Sequence, residues 1–253
     1  KPRAVAAPTM PDVNSIVTLA EWIAAAERPL IVTAALPGDA VEPLAQLAER
    51  CAIPVITYMP RTMCLPSSHP MHFGGEPGTM LADADLVIVL EADVPWIPSL
   101  QGPAAGARIA HIGEEPAYVR YPMRSFPSSL TIQSGAANAL DALHEALHSR
   151  LQMAEPRIAT RRARLTERMR MRRAQLAKDA AATDKISPEH LSHAIGEAVG
   201  PDAVIFNEYP LRGDHCGREY PNTYFGLSPA GGLGWGLGAA LGAALEVRLD
   251  SGA

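Results

Sequence analysis

Asp85-Leu86-Val87-Ile88-Val89-Leu90-Glu91 decides the fold class. Its apolar run between two carboxylates has no polar face, so a strand here is covered on both sides, as in a parallel sheet flanked by helices. Leu30-Ile31-Val32-Thr33-Ala34-Ala35-Leu36 reads the same way and is stopped by Pro37-Gly38. Ile53-Pro54-Val55-Ile56-Thr57, Arg108-Ile109-Ala110-His111-Ile112 and Leu130-Thr131-Ile132 supply three further short strands. Between them lie helical patterns. Ser15 to Glu27 places Ile16, Leu19, Ala20 and Ile23 at helical spacing, and Asp39 with Glu42 forms a capping box before Leu44, Leu47 and Ala48. Met80 to Ala84 ends a short helix, and Ala136 to Leu151 is a long one with Leu140, Leu143 and Leu147 on one face. Strands alternating with helices predict right-handed crossovers and an α/β, Rossmann-like, doubly wound parallel sheet.

Such sheets bind ligands at the carboxyl ends of their strands, here near Leu36-Pro37-Gly38 and Glu91-Ala92-Asp93-Val94. The first turn, Ala34 to Gly38, has one glycine where a nicotinamide dinucleotide fingerprint needs three, which disfavours that cofactor. FAD or ADP in another pose stays open.

The chain has 253 residues, 47% of them hydrophobic, 19% charged and 5% aromatic. That is enough for a core of aliphatic side chains, and too balanced for a disordered tail or a membrane protein. Cys51, Cys64 and Cys216 are odd in number and widely spaced, which predicts reduced thiols in the cytoplasm. The start, Lys1-Pro2-Arg3, has neither a Met nor a signal region, and suggests a cut or processed chain.

The net charge of −5 hides an uneven distribution. Residues 1–152 carry 9 basic and 15 acidic side chains, residues 153–182 carry 9 and 3, and residues 183–253 carry 4 and 9. The abrupt change predicts three parts: a unit over 1–152, a basic linker helix over 153–185, and a second unit over 186–253. Arginines on most faces of the linker, without interleaved aromatics, predict a solvated helix in preference to a nucleic-acid surface.

His144-Glu145-Ala146-Leu147-His148 is literally an H-E-x-x-H on a helix. No third ligand is evident, so both histidines read as exposed helix residues. His69 and His72, in the Gly/Pro loop from Ser67 to Gly75, are candidate ligand contacts, and with Trp96 and Tyr121 are candidates for lining a cleft of the first unit. His190 and His193 read as structural, and Arg212-Gly213-Asp214 carries no weight.

In the second unit Ser187-Pro188-Glu189 starts a helix, and Ala203-Val204-Ile205-Phe206 is a buried strand leading into Asn207-Glu208-Tyr209-Pro210. Then comes Gly231-Gly232-Leu233-Gly234-Trp235-Gly236-Leu237-Gly238-Ala239-Ala240-Leu241-Gly242. Its apolar stretch is too short to span a membrane. Gly234, Gly238 and Gly242 predict a helix face packed against another backbone, and Gly231-Gly232 lets main chain meet a ligand at the helix N-terminus, where free N–H groups favour anions.

These last motifs, with Arg28 to Val32 and Ala84 to Leu90, resemble the thiamine diphosphate enzymes of the acetolactate synthase and benzoylformate decarboxylase type. The resemblance covers nearly the whole chain: a central Rossmann-like domain, a linker helix, and the start of the pyrophosphate-binding domain. It implies that Glu208, Tyr209, Pro210 and Leu211 touch the cofactor diphosphate and that Gly231, Gly232 and Leu233 hold the aminopyrimidine. The Gly231 carbonyl would accept from the 4'-amino group, and Leu233 would wedge beneath the two rings, bending the cofactor so that its imine reaches the thiazolium C2 proton. The chemistry implied is decarboxylation of, or acyl transfer from, a small 2-oxo acid.

Two family parts do not appear: the Gly-Asp-Gly run that binds magnesium, and the domain whose glutamate activates the pyrimidine. The chain alone is therefore expected to be inactive, with no catalytic or metal-binding residue of its own. The resemblance also implies a homodimer or homotetramer, without a nucleic-acid or membrane partner. The alternative is a non-catalytic protein that binds FAD or ADP, or acts as a scaffold.

Overall fold

The computed structural model describes residues 7–121, 126–181, 185–209, 211–226 and 231–250. Strands β1 (Pro29–Thr33), β2 (Val55–Thr57), β3 (Leu86–Leu90), β4 (Arg108–Gly113) and β5 (Leu130–Gln133) form one five-stranded parallel sheet in the order β2-β1-β3-β4-β5. Leu30 pairs with Val87, and Val87 with Ile109. Every residue of β1 and β3 is buried, as their unbroken apolar runs require. The strand order reverses between these two, and the α/β class read from the sequence is the one observed.

Helix α1 (Val13–Ala25) starts at Asp12, whose carboxylate accepts the Ser15 N–H at 2.8 Å. Helices α2 (Val41–Cys51) and α4 (Ala136–His148) pack together, with α4 also against α1, burying Leu19, Ile23, Leu44, Leu47, Leu140 and Leu143. Helix α3 (Gly78–Asp83) is short.

Several local expectations fail. β1 leaves the ladder after Thr33, although Ala34 and Leu36 remain buried. The capping box at Asp39 does not form. Residues 38–40 wind into a 3-10 turn, α2 begins at Val41 without a side-chain cap, and the Glu42 carboxylate accepts from Gln46 Nε2 instead. The crossovers from β3 to β4 and from β4 to β5 contain no helix among the described residues. Pro95, Pro98, Pro103 and Pro116 interrupt them. The long helix expected to run to Leu151 stops at His148, and α5 (Leu151–Ala180) starts after the break, so the boundary expected at residue 152 falls inside its first turn.

β2 is a sheet edge, and its free backbone groups are satisfied by the loop that follows it. Val55 N–H donates to Met71 O, Phe73 N–H to Val55 O and Thr57 N–H to Gly74 O, at 2.8 to 2.9 Å. His72, within that return segment, places Nε2 3.1 Å from Thr57 Oγ1.

Helix α5 is not the solvated connector expected. Leu151, Ala154, Ile158, Arg161, Leu165 and Met169 form a buried stripe along it. Arg161 is 2% exposed and donates through Nη1 to Ile23 O and Ala26 O, capping the carbonyl end of α1 with a positive charge. Further along, Arg173 donates to Ser68 O, and Arg172 pairs with Asp214 at 2.8 Å. The arginines that suggested solvent are largely spent on neighbouring backbone and carboxylates.

The second unit contains α6 (Pro188–Val199), a two-stranded parallel sheet of β6 (Ile205–Phe206) and β7 (Tyr224–Phe225), and α7 (Trp235–Asp250). Ser187 caps α6 through the His190 N–H, as its sequence predicts. Arg218 is buried and donates to the carbonyls of Gly200, Ala203 and Cys216, tying the end of α6 to the sheet. The first unit reaches this sheet directly: Thr62 bridges Phe225, and Gly226 N–H donates to Arg61 O.

Two outcomes follow from the seam between the units. A methyl group on Gly226 would lie 2.0 Å from Pro60 O, a backbone atom that cannot turn aside. Gly226→Ala is expected to cost about 1–3 kcal/mol, read as a lower urea midpoint, and to open the seam to limited proteolysis. Unchanged midpoint and cleavage would show that the seam is loose.

His72 titrates low because loss of water outweighs the nearby Asp214 carboxylate, while Arg172 and His69 oppose protonation further; its imidazole is pushed down to about 4 from 6.5. The unfolded chain binds the proton first. Stability should therefore be complete above pH 6.5 and fall as the pH drops from 6.5 towards 4. His72→Gln should flatten that part of the urea-midpoint profile, and an identical slope in the variant would contradict it.

Candidate functional site

The site forms where β6 ends. Asn207 follows the strand and closes a loop on itself: its Oδ1 accepts the Leu211 N–H and its Nδ2 donates to Leu211 O, both at 3.2 Å. The same Nδ2 donates to the Tyr224 hydroxyl at 2.8 Å, which fixes the side chain against β7. Burial pushes the Tyr224 phenol up, so it stays a neutral partner. The loop carries Glu208 and a protruding Tyr209, 82% exposed.

Glu208 turns to the head of α7. Its Oε1 accepts from the Gly234 N–H and from the Trp235 N–H, the latter at 2.9 Å. Two of the helix's orphan donors are thereby satisfied by a carboxylate at the positive end of the dipole. Gly236 packs beneath, where an added methyl would lie 3.5 Å from Glu208 Cβ and 3.7 Å from Phe206 O. Phe206 stacks on Phe225 and meets Trp235 edge-on, so β6, β7 and the start of α7 share one aromatic cluster.

The turn before α7 is open. Gly231 and Gly234 have φ of +64° and +94°, which other residues rarely adopt. Among the described residues nothing lies within 4 Å of where a side chain would stand at Gly231, Gly232 or Gly234. Leu233 is 80% exposed. Trp235 Nε1 is buried and has no hydrogen-bond partner among the described residues. An exposed leucine between open glycines, beside an orphaned buried donor, fits a group with one apolar face and polar atoms at its rim.

Glu208 and the turn containing Gly231, Gly232 and Leu233 are thus brought together, and Tyr209 and Leu211 share the Glu208 loop. Pro210 lies outside the described residues. The anion seat expected at the head of α7 is taken by Glu208. The packed glycine face is also corrected: among the described residues Gly238 and Gly242 have open space beside them, and the buried glycine of α7 is Gly236, against Glu208 and Phe206. Sequence reasoning missed the bond from Glu208 to Gly234 and Trp235, because its partners are 26 and 27 residues apart.

The other candidates do not converge. Trp96 is in the core against Phe126. His69 is buried, accepting the Met71 N–H, and His72 is at the seam. Tyr121 donates to Asp93 at the end of β3. There Glu91, its acid raised by burial, accepts the Glu114 N–H, and Arg61 is paired to Asp93 at 2.7 Å. These side chains do not suit FAD or ADP, because carboxylates crowd the strand ends and Arg61 is already engaged.

His144 is half-buried, with Nε2 3.0 Å from Pro43 O; only His148 of that pair is exposed as expected. Among the described residues no group of three metal-ligating side chains occurs. Among the described residues no helix is long and apolar enough to cross a membrane. A shallow groove of about 570 Å³ between α1 and the start of α5, lined by Glu21, Arg150, Met153 and Arg157, lies apart from the turn.

The chain is 27% identical over 210 residues to an acetolactate synthase of Mycobacterium bovis, covering 78% of this chain and 33% of that protein. It is 26% identical over 244 residues to one of Mycobacterium avium, covering 90% and 38%. The chain thus spans little more than a third of these curated relatives. A Mycobacterium smegmatis protein described as thiamin diphosphate-dependent superposes with TM-score 0.70 at 20% identity, covering 98% of this chain and 48% of that one. Benzoylformate decarboxylase of Polynucleobacter necessarius does so with TM-score 0.70 at 19% identity, covering 99% and 46%. Both likenesses are of fold. Residues 16–146, just over half of the chain, match the central domain of the thiamine pyrophosphate enzymes, and the protein belongs to that family.

Proposed function

We propose that this chain is part of a thiamine diphosphate-dependent lyase or transferase that decarboxylates a small 2-oxo acid or transfers its acyl group. The observation that carries the reading is Leu233, exposed between glycines at the head of α7 and adjoining the Glu208 loop. Bound there, thiamine diphosphate supplies an electron sink for the carbon left when carbon dioxide departs. The chain's part is orientation. The Gly231 carbonyl would accept from the pyrimidine amine, Leu233 would press against the ring pair, and the loop carrying Tyr209 and Leu211 would hold the diphosphate. Magnesium is held elsewhere, since no Gly-Asp-Gly run occurs in these 253 residues.

The family relation supports a homodimer or homotetramer as the working form, with a small-molecule 2-oxo acid as substrate. The unpaired, buried Cys51, Cys64 and Cys216 support the cytoplasm. Burial pushes the thiols of Cys51 and Cys216 up to about 11, which makes them poor nucleophiles and leaves them a packing role.

In the protein as it occurs, Leu233→Ala should lower both thiamine diphosphate affinity and turnover of a 2-oxo acid, each about tenfold or more, as measured by calorimetry and carbon dioxide release. Equal binding and equal rate would overturn the reading. The 253-residue chain alone should release no carbon dioxide above background, and measurable turnover would show that these residues carry more of the chemistry than proposed.

A further inference from the structure

Glu208 follows a strand, where a loop could reach a diphosphate, yet its carboxylate points elsewhere. Both N–H groups it accepts belong to the residues that turn the chain from Leu233 into α7. A carboxylate and a diphosphate repel each other. Among the described residues an added Cβ at Gly234, φ +94°, would meet nothing within 4 Å, so the Glu208 carboxylate ties this open turn to the start of α7, where Trp235 meets Phe206.

We propose that Glu208 is a positioning residue. Its side chain, and not a bound anion, closes the N-terminus of α7 and sets the pose of Gly231, Gly232 and Leu233. The diphosphate is left to the main chain around Tyr209 and Leu211. That last step rests on the thiamine diphosphate reading, whereas the capping role does not.

Hydrogen exchange followed by mass spectrometry on the 253-residue chain tests it without cofactor. In Glu208→Ala, the segment 233–238 should exchange about tenfold faster than in the unaltered chain, with peptides of β1 and β3 unchanged. Trp235 emission should shift to the red. Glu208→Gln keeps an oxygen acceptor of the same reach and should restore exchange to within about twofold. Glu208→Asp keeps the charge but falls one methylene short, and should exchange faster than Gln, which separates reach from charge and from any failure of Ala to fold. Millimolar inorganic pyrophosphate with magnesium should add no further protection to 233–238 in the unaltered chain.

Unaltered exchange in both Glu208→Ala and Glu208→Asp would overturn the proposal. So would added protection of 233–238 by pyrophosphate, since an anion would then displace the carboxylate. Capping in the 253-residue chain together with no thiamine diphosphate binding by the protein as it occurs would sink the functional reading alone.

Discussion

Every backbone group left over at a sheet edge or helix end must find a partner, and in this protein that requirement joins the two units. β2 is too short and too buried to leave its outer edge to water. The chain therefore returns through Met71 to Gly74 to pair with it, and the loop needed for that return runs over the second unit. Arg61 and Thr62 meet β7 on the way out, while Ser67 and Ser68 meet Arg218 and Glu219 on the way back. The Gly/Pro segment whose histidines were candidate ligand contacts is the structural seam, which is why His69 and His72 lie there and not in a ligand cleft.

The arginines obey the same rule. Carbonyl groups at helix ends are weak individual acceptors, but a guanidinium gathers several in a fixed fork. Arg161 takes two at the end of α1, and Arg218 takes three residues' carbonyls between α6 and the small sheet. An arginine-rich helix reads as solvated when charge is counted, because charge per residue carries no information about whether carbonyls wait on the facing surface. The three-part division of the charge was legible, but the burial of Arg161 was not.

What was legible depended on range. Strands β1 and β3 are unbroken apolar runs, a property of adjacent residues, so both were legible, although β1 ends at Thr33, three residues before Leu36. The capping of α6 by Ser187 is equally local. The capping box at Asp39 was local too, and failed because a 3-10 turn shifted α2 to Val41, placing Glu42 too early in the helix to reach back. At the candidate site, the Gly231 to Leu233 turn and the Glu208 loop were each visible as motifs. Their contact was not, since nothing in either motif says that a carboxylate after β6 meets an N–H group before α7. Gly234, Gly238 and Gly242 show the opposite failure: a pattern that implies packing, on a helix whose described contact runs instead through Gly236.

The position of Glu208 also bears on how the proposed site would seat an anionic coenzyme. A helix N-terminus attracts negative charge, and a diphosphate seated there would bring its rings over the helix axis. With a protein carboxylate already in that place, the N-terminus of α7 is capped by the fold itself. In the function proposed above, the apolar part of a ligand would then meet Leu233 while its charged end would be turned towards the Asn207-locked loop. That separation of charged and apolar contacts would fix which way round an elongated cofactor can lie, and it rests on two hydrogen bonds between segments 26 residues apart.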